Sequence, residues 1–281
     1  MLTESTVPTC LQQIPSPPKE LFHRGESLEE LLKRPCVAIV GSRNISAYGR
    51  EVTHKLSYEL AQQGIVIISG LAYGVDATAH RAALEAGGLT IAVLPASVDE
   101  IVPTMHTRLA EQILSQGGAL VSEYPPGSIA HKQNFIARNR LVAGLAKAVL
   151  ITEAAEKSGS LHTARFALDQ GKEVLAVPGN ITSLTSVGTN NLLRKGATPI
   201  TSVSDVLHVL GLKTRHKASK VVKGRNQNEQ TVIDLLASGL TAGDELLKQS
   251  QLTPSEFNQV LTMLEIGAKI RPLGNNHWTL S

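Results

Sequence analysis

The sequence predicts a parallel, doubly wound α/β sheet followed by a small C-terminal domain of winged-helix type. Three observations predict it. Short apolar runs alternate with longer helical stretches from Cys36 to about residue 210. Many of the helical stretches stop at glycine (Gly64, Gly87, Gly117, Gly171), which suits the left-handed residue after a helix. A basic, polar stretch then separates this pattern from a tail with three apolar stripes and a hairpin signal.

In chain order, residues 1–35 read as an irregular extension, because Pro8, Pro15, Pro17 and Pro18 interrupt regular structure. One short helix is expected over Ser27–Lys33, with Ser27 as N-cap and Glu30 three residues on. Residues 36–212 form the main domain. Its expected strands are Cys36–Val40, Ile65–Ile68, Leu89–Leu94, Ala119–Val121, Ala148–Ile151 and Val174–Val177. These runs are continuous and aliphatic, as strands covered on both faces require. Helices are expected over Tyr48–Gln63, Asp76–Ala86, Thr104–Gln116, Asn134–Ala146 and Leu161–Gln170. Residues 213–228 read as a basic linker. In residues 229–281, one stripe runs through Val232, Ile233, Leu235 and Leu236, a second through Leu246 and Leu247, and a third through Phe257, Val260, Leu261 and Leu264. A turn at Gly274–Asn276 then joins two short strands.

Composition narrows the function classes. The chain has 281 residues, 42% of them hydrophobic, and a formal charge of +3. Six basic side chains (Lys213, Arg215, Lys217, Lys220, Lys223 and Arg225) and no acidic one fall in the linker, so the remainder is mildly acidic. A nucleic-acid site in the main domain must therefore come from local placement of Arg, Lys and backbone N–H groups. Cys10 and Cys36 form no CxxC pair and no cluster with histidine, so neither a zinc site nor a disulfide framework is expected. No apolar run is long enough to cross a membrane, and the N-terminus has no signal pattern; a cytoplasmic protein is expected.

In an open α/β sheet, ligands bind outside the carboxyl ends of the strands. Gly41-Ser42-Arg43 follows the first expected strand, Ser69-Gly70-Leu71-Ala72-Tyr73-Gly74-Val75-Asp76 follows the second, and Ser158-Gly159-Ser160 follows the Ala148–Ile151 strand. One such turn serves equally for tight entry into a helix. Three at the same end of one sheet point to an anion cradled by N–H groups. Neither the dinucleotide fingerprint nor a Walker loop is present, and no cofactor or metal is expected. A further stretch, Lys132 with Phe135, Arg138 and Arg140, joins cations to an aromatic near a helix start, which suits phosphates and a base face. The alternative has Phe135 in the core and the arginines solvated or paired with glutamate. Glu153 is expected to bond loop N–H groups or pair with Arg140 rather than act in catalysis. No nucleophile, base and orienter fall together.

These blocks, with Ala79-His80, Ala143-Gly144-Leu145 and Ala176-Val177-Pro178-Gly179, resemble the DNA-processing protein A (DprA/Smf) family from about residue 14 to 212. The resemblance implies an extended Rossmann-like fold that binds single-stranded DNA with little sequence preference. It implies a cytoplasmic homodimer that protects incoming DNA and loads RecA recombinase in natural transformation and recombination, and it implies no enzymatic activity. Family members bind DNA through residues matching Arg43, Lys132 and Phe135, completed by loop N–H groups. The expected contact set is Gly41, Ser42, Arg43, Ser69, Gly70, Lys132, Phe135, Arg138, Arg140, Gly159 and Ser160. Two rivals remain at this point. One is a phosphoribohydrolase-like enzyme, against which stands the lack of an acid directly after Ser158–Ala164. The other is a duplex-binding regulator built on the winged helix, whose third helix carries no Lys or Arg.

Overall fold

The computed structural model describes residues 3–5, 7–213, 224–267, 269–274 and 276–280. The first residues already depart from the sequence expectation. Residues 1–35 carry two strands, β1 (Thr3–Ser5) and β2 (Leu21–Gly25), and two short helices, α1 (Thr9–Gln12) and α2 (Leu28–Leu32). The prolines bracket these elements instead of preventing them. Pro8 is the N-cap of α1, and Pro15, Pro17 and Pro18 lie between α1 and β2. Ser27 stands at the N-cap of α2 as expected, although its side chain makes no cap bond.

The remaining strands of the sheet are β3 (Cys36–Val40), β4 (Val66–Ser69), β5 (Thr90–Val93), β6 (Ala119–Ser122), β7 (Ala148–Ile151), β8 (Glu173–Ala176) and β9 (Thr198–Pro199). The helices between them are α3 (Ala47–Gln62), α4 (Val75–Glu85), α5 (Thr107–Ser115), α6 (Lys132–Leu145), α7 (Ser160–Asp169) and α8 (Val187–Arg194), and α9 (Val203–Val209) follows β9. Among the described residues the sheet order is β1-β2-β6-β5-β4-β3-β7-β8-β9. Strands β3 to β9 pair in parallel; β2 joins β6, and β1 joins β2, antiparallel. The parallel, doubly wound class is thus as expected, with an antiparallel edge supplied by the N-terminal residues.

Both faces of the sheet are covered, which explains why the strands read as unbroken apolar runs. Successive side chains point to opposite faces. In β3, Cys36, Ala38 and Val40 join one core with Leu141, Val142 and Leu145 of α6. Val37 and Ile39 join the other, with Leu56 and Leu60 of α3 and Ala79 of α4. The chain runs outward from β3 through β4, β5 and β6, then returns to place β7 on the other side of β3. The gap between the carboxyl ends of β3 and β7 is therefore the topological switch point, where ligands of such sheets bind.

The described residues of the C-terminal unit, from 224 on, are compact in themselves. Residues 214–223, most of the expected basic linker, lie outside the described residues. Helix α10 (Gln227–Ala237) begins with Asn226 accepting from the N–H of Glu229. It is followed by α11 (Gly243–Ser250), α12 (Pro254–Ile266) and the hairpin β10 (Ile270–Gly274) with β11 (His277–Leu280). Thr253 and Glu256 form a reciprocal capping box at the start of α12. The expected stripes meet in one core of Val232, Leu246, Phe257, Leu264 and Ile270. An isolated bridge, Ala242 to His277, ties the hairpin to the start of α11, completing the winged-helix arrangement.

Candidate nucleic-acid interface

A cleft of about 730 Å³ opens at the switch point. Gly41, Ser42 and Arg43 enter it from the end of β3, Lys157 to Ser160 from the end of β7, and Lys132 and Phe135 from the first turn of α6. Two of the three strand-end loops expected to converge, at Gly41–Arg43 and Ser158–Ser160, thus meet here with the start of α6; of the third, Ala72 and Asp76 reach the cleft and Ser69 and Gly70 do not line it.

The loop after β3 is held from two sides. The Ser42 N–H donates to the Glu153 carbonyl at 2.8 Å, and the Ser42 carbonyl accepts from the Val75 N–H at 3.1 Å. The Ser42 hydroxyl donates to the Asn44 carbonyl at 2.8 Å. A Cβ on Gly41 would meet Val75 at 2.6 Å and the Glu153 carbonyl at 2.7 Å. Gly41 is thus required by close packing of the segments that form the cleft wall. Glu153, 2% exposed, fixes the next turn. Its carboxylate accepts from the Ser46 N–H at 2.9 Å and the Ser46 hydroxyl at 2.5 Å. The Ser46 oxygen in turn caps α3 by accepting from the Gly49 N–H. The structural role expected for Glu153 is the one observed, through loop N–H groups and not through Arg140.

Arg43 leaves this rigid loop exposed, with its guanidinium carbon 5.2 Å from the centre of the half-buried Phe135 ring. That distance is within cation–π range. Lys132 and Lys157 are exposed, and neither has a salt bridge among the described residues. Gly159 is exposed, and a Cβ there would meet nothing within 4 Å. Ser160 opens α7, its hydroxyl 2.8 Å from that of Ser158. The cleft therefore offers three free cations, one aromatic face and a helix start.

Four residues of the expected contact set are placed otherwise. Ser69 is fully buried and donates to the Ile39 carbonyl at 2.6 Å. The Gly70 N–H donates to the Asp76 carboxylate at 3.1 Å, and so does that of Ala72 at 3.4 Å. The second Gly-rich loop thus satisfies its own N–H groups with an acid four to six residues on, an Asx-type arrangement. Arg138 is 3% exposed and lies under the cleft. It donates to the carbonyls of Gly70, at 2.6 Å, and Val93. Burial pulls its guanidinium down to about 10, and Asp76 beside it opposes that fall. Burial raises the Asp76 carboxyl, while Arg138 and the two N–H groups draw it back. Arg140 is spent on Glu123, a bidentate pair at 2.8 and 2.5 Å, and on the Ser16 carbonyl at 2.9 Å. Arg138 and Arg140 are thus structural: Arg140 is paired with a glutamate, as the alternative reading had it, whereas Arg138 is held by backbone carbonyls. Lys157 is the cleft cation that the sequence reading passed over. The available signal was its place one residue before Ser158-Gly159-Ser160.

Comparison with known proteins agrees with this architecture. The family model described as DNA recombination-mediator protein A matches residues 1–211, and that of the DprA winged helix domain matches residues 217–276. DNA processing protein DprA of Streptococcus pneumoniae is 41% identical over 206 residues, covering 73% of this chain and 72% of the relative. Protein Smf of Synechocystis is 36% identical over 266 residues, covering 92% of this chain and 67% of the relative. The chain spans about two thirds or less of several curated relatives, 62% of the Mycobacterium tuberculosis protein among them. The crystal structure of the S. pneumoniae protein superimposes with a TM-score of 0.67 at 42% identity, over 72% of this chain and 70% of that one. A structure of Helicobacter pylori DNA processing protein A, described for its single-stranded DNA binding mode, gives 0.68 at 37% identity, over 74% of this chain and 95% of that one. No helix among the described residues is long and apolar enough to cross a membrane. From the N-terminal strands to the winged helix, the chain belongs to the DprA family of DNA recombination-mediator proteins.

Proposed function

We propose that this protein binds single-stranded DNA in the switch-point cleft and acts in binding and handover, not in catalysis. The observation that carries the reading is the meeting of Arg43, Lys132 and Lys157 around Phe135. The cations take successive phosphates and the ring stacks a base. A π face is common to all bases, so sequence preference is weak. The N–H groups at the start of α7 add to the anion site. The engagement of the Glu153 carboxylate by Ser46 supports a structural acid and weakens the phosphoribohydrolase alternative. The similarity to the H. pylori protein supports the same ligand class.

The wider role follows the family. The protein protects incoming DNA and loads RecA recombinase in natural transformation and homologous recombination, as a cytoplasmic homodimer. Two clefts on one dimer would raise affinity for longer strands by avidity. The dimer contact is formed by Leu192–Gly211, at the β9 edge of the sheet. The winged helix serves a protein contact: α12 has no Lys or Arg, and Lys269 is paired with Glu229 at 3.1 Å.

Fluorescence anisotropy of labelled oligo-dT, alone and annealed, tests the reading across a salt series. Single-strand preference should be lost in Arg43→Ala, and log affinity should fall with log salt at about −0.7 per phosphate contacted. Phe135→Ala should weaken binding by about 1–3 kcal/mol. Equal or stronger duplex binding, indifferent to Arg43, would overturn it.

A further inference from the structure

A second cavity, of about 400 Å³, adjoins the cleft on the side of α4. Arg43 lines both. The other lining residues that matter are Arg50 on the first turn of α3, Arg81 on α4, Tyr73 on the loop after β4, and His106. Arg43, Arg50 and Arg81 are exposed, and none has a salt bridge among the described residues. Like charges gathered round one concavity repel one another, and an anion entering it removes that repulsion.

The aromatic in this cavity is presented, not merely left over. Tyr73 is 45% exposed. Its ring meets that of His106 edge-on, with centroids 5.1 Å apart. His106 is buried, and its Nδ1 is 2.7 Å from the Leu71 carbonyl. Leu71 is fully buried in a left-handed conformation, φ 58°. The loop is thus pinned from beneath while the phenol ring reaches solvent. Free arginines beside a propped aromatic repeat the chemistry of the main cleft.

We infer that a bound single strand continues past Arg43 into this second cavity, where Arg50 and Arg81 take further phosphates and Tyr73 stacks a further base. The inference rests on the single-strand reading of the main cleft and lengthens its track. Arg43 is the shared contact at which the strand passes from one cavity to the next.

Binding of oligo-dT of about four and about twelve nucleotides separates the two cavities. The test compares wild type with the Arg50→Gln/Arg81→Gln double variant and with Tyr73→Ala, using isothermal titration calorimetry and a salt series. The Gln variants keep the aliphatic stems, and binding of the short oligomer reports that the main cleft is intact. The short oligomer should bind all three proteins within about twofold. The long oligomer should bind the double variant about tenfold more weakly or worse, and the salt slope should shrink by about 1.4, two phosphates at about 0.7 each. Tyr73→Ala should weaken the long oligomer without changing its slope. Unchanged long-oligomer binding and slope in the double variant would overturn the inference, as would equal losses on both lengths. Arg43→Ala distinguishes the underlying reading: if it still binds the short oligomer as wild type does, the main-cleft reading fails, whatever the second cavity does.

Discussion

Arg138→Ala should unfold the domain long before it reveals anything about DNA, whereas Arg43→Ala should do the reverse. The two arginines lie around the same cleft, but Arg138 is 3% exposed and shares its site with the buried Asp76. Its side chain also ties the Gly70 carbonyl on one segment to the Val93 carbonyl on another. Removing it strips two buried carbonyls of their donor and takes the opposing charge away from Asp76, a loss of about 3–5 kcal/mol. That is a large share of the roughly 5–15 kcal/mol that holds a domain together. Arg43 is exposed and has no acidic partner, so its truncation should change stability by less than about 0.5 kcal/mol. Urea unfolding followed by circular dichroism reads both values. An Arg138→Met/Asp76→Asn pair provides the control. Removing both charges together should recover much of the single-variant loss, because no buried charge is left alone. The reasoning fails if Arg138→Ala keeps wild-type stability yet loses single-strand affinity as Arg43→Ala does. Arg138 would then be a phosphate ligand.

Two further outcomes follow from buried groups. Glu153→Gln should lower unfolding free energy by about 1–3 kcal/mol, since an amide nitrogen would face a Ser46 donor; an unchanged urea midpoint would show that the carboxylate does not hold this turn. His80 gives a pH signature. The Thr90 hydroxyl donates its proton to the Ile67 carbonyl, so His80 Nδ1 must be the donor in its 2.7 Å contact with Thr90, and its buried Nε2 has no partner among the described residues. Burial, aided by His106, Arg138 and Arg81, pushes its pKa from 6.5 down to about 3. Between those values the unfolded chain binds the extra proton, so stability falls as pH drops below 6.5, at up to about 1.4 kcal/mol per pH unit. Asp76, whose carboxyl is raised, acts in the opposite sense toward the acid end. His80→Asn should flatten the wild-type slope between pH 7.5 and 5; parallel curves for the two proteins would refute the assignment.

The sheet was legible in the sequence because burial on both faces leaves an unmistakable mark: β3 and β7 coincide with the apolar runs read from residues alone. The switch-point cleft was legible for a related reason, since the turns Gly41–Arg43 and Ser158–Ser160 end adjacent strands. The N-terminal strands were not, because β1 is a three-residue edge strand, β2 pairs with β6 about a hundred residues away, and four prolines dominate the local signal. The fate of Arg138 was hidden by its residue type, although its position announced it. Asn134, Arg138, Leu141, Val142 and Leu145 are all buried, at the spacing of one helical stripe. Lys132, Phe135 and Asn139 fall on the face that lines the cleft. Periodicity thus separates the two roles where composition does not.

That separation has a consequence for how the site works in salt. A charge buried with its partner contributes little field outside, and mobile ions barely reach it. An exposed cation does the opposite on both counts. Arg138 lies buried under the cleft, whereas Arg43, Lys132 and Lys157 line it as exposed cations. Raising salt should therefore release DNA without loosening the walls that shaped its site.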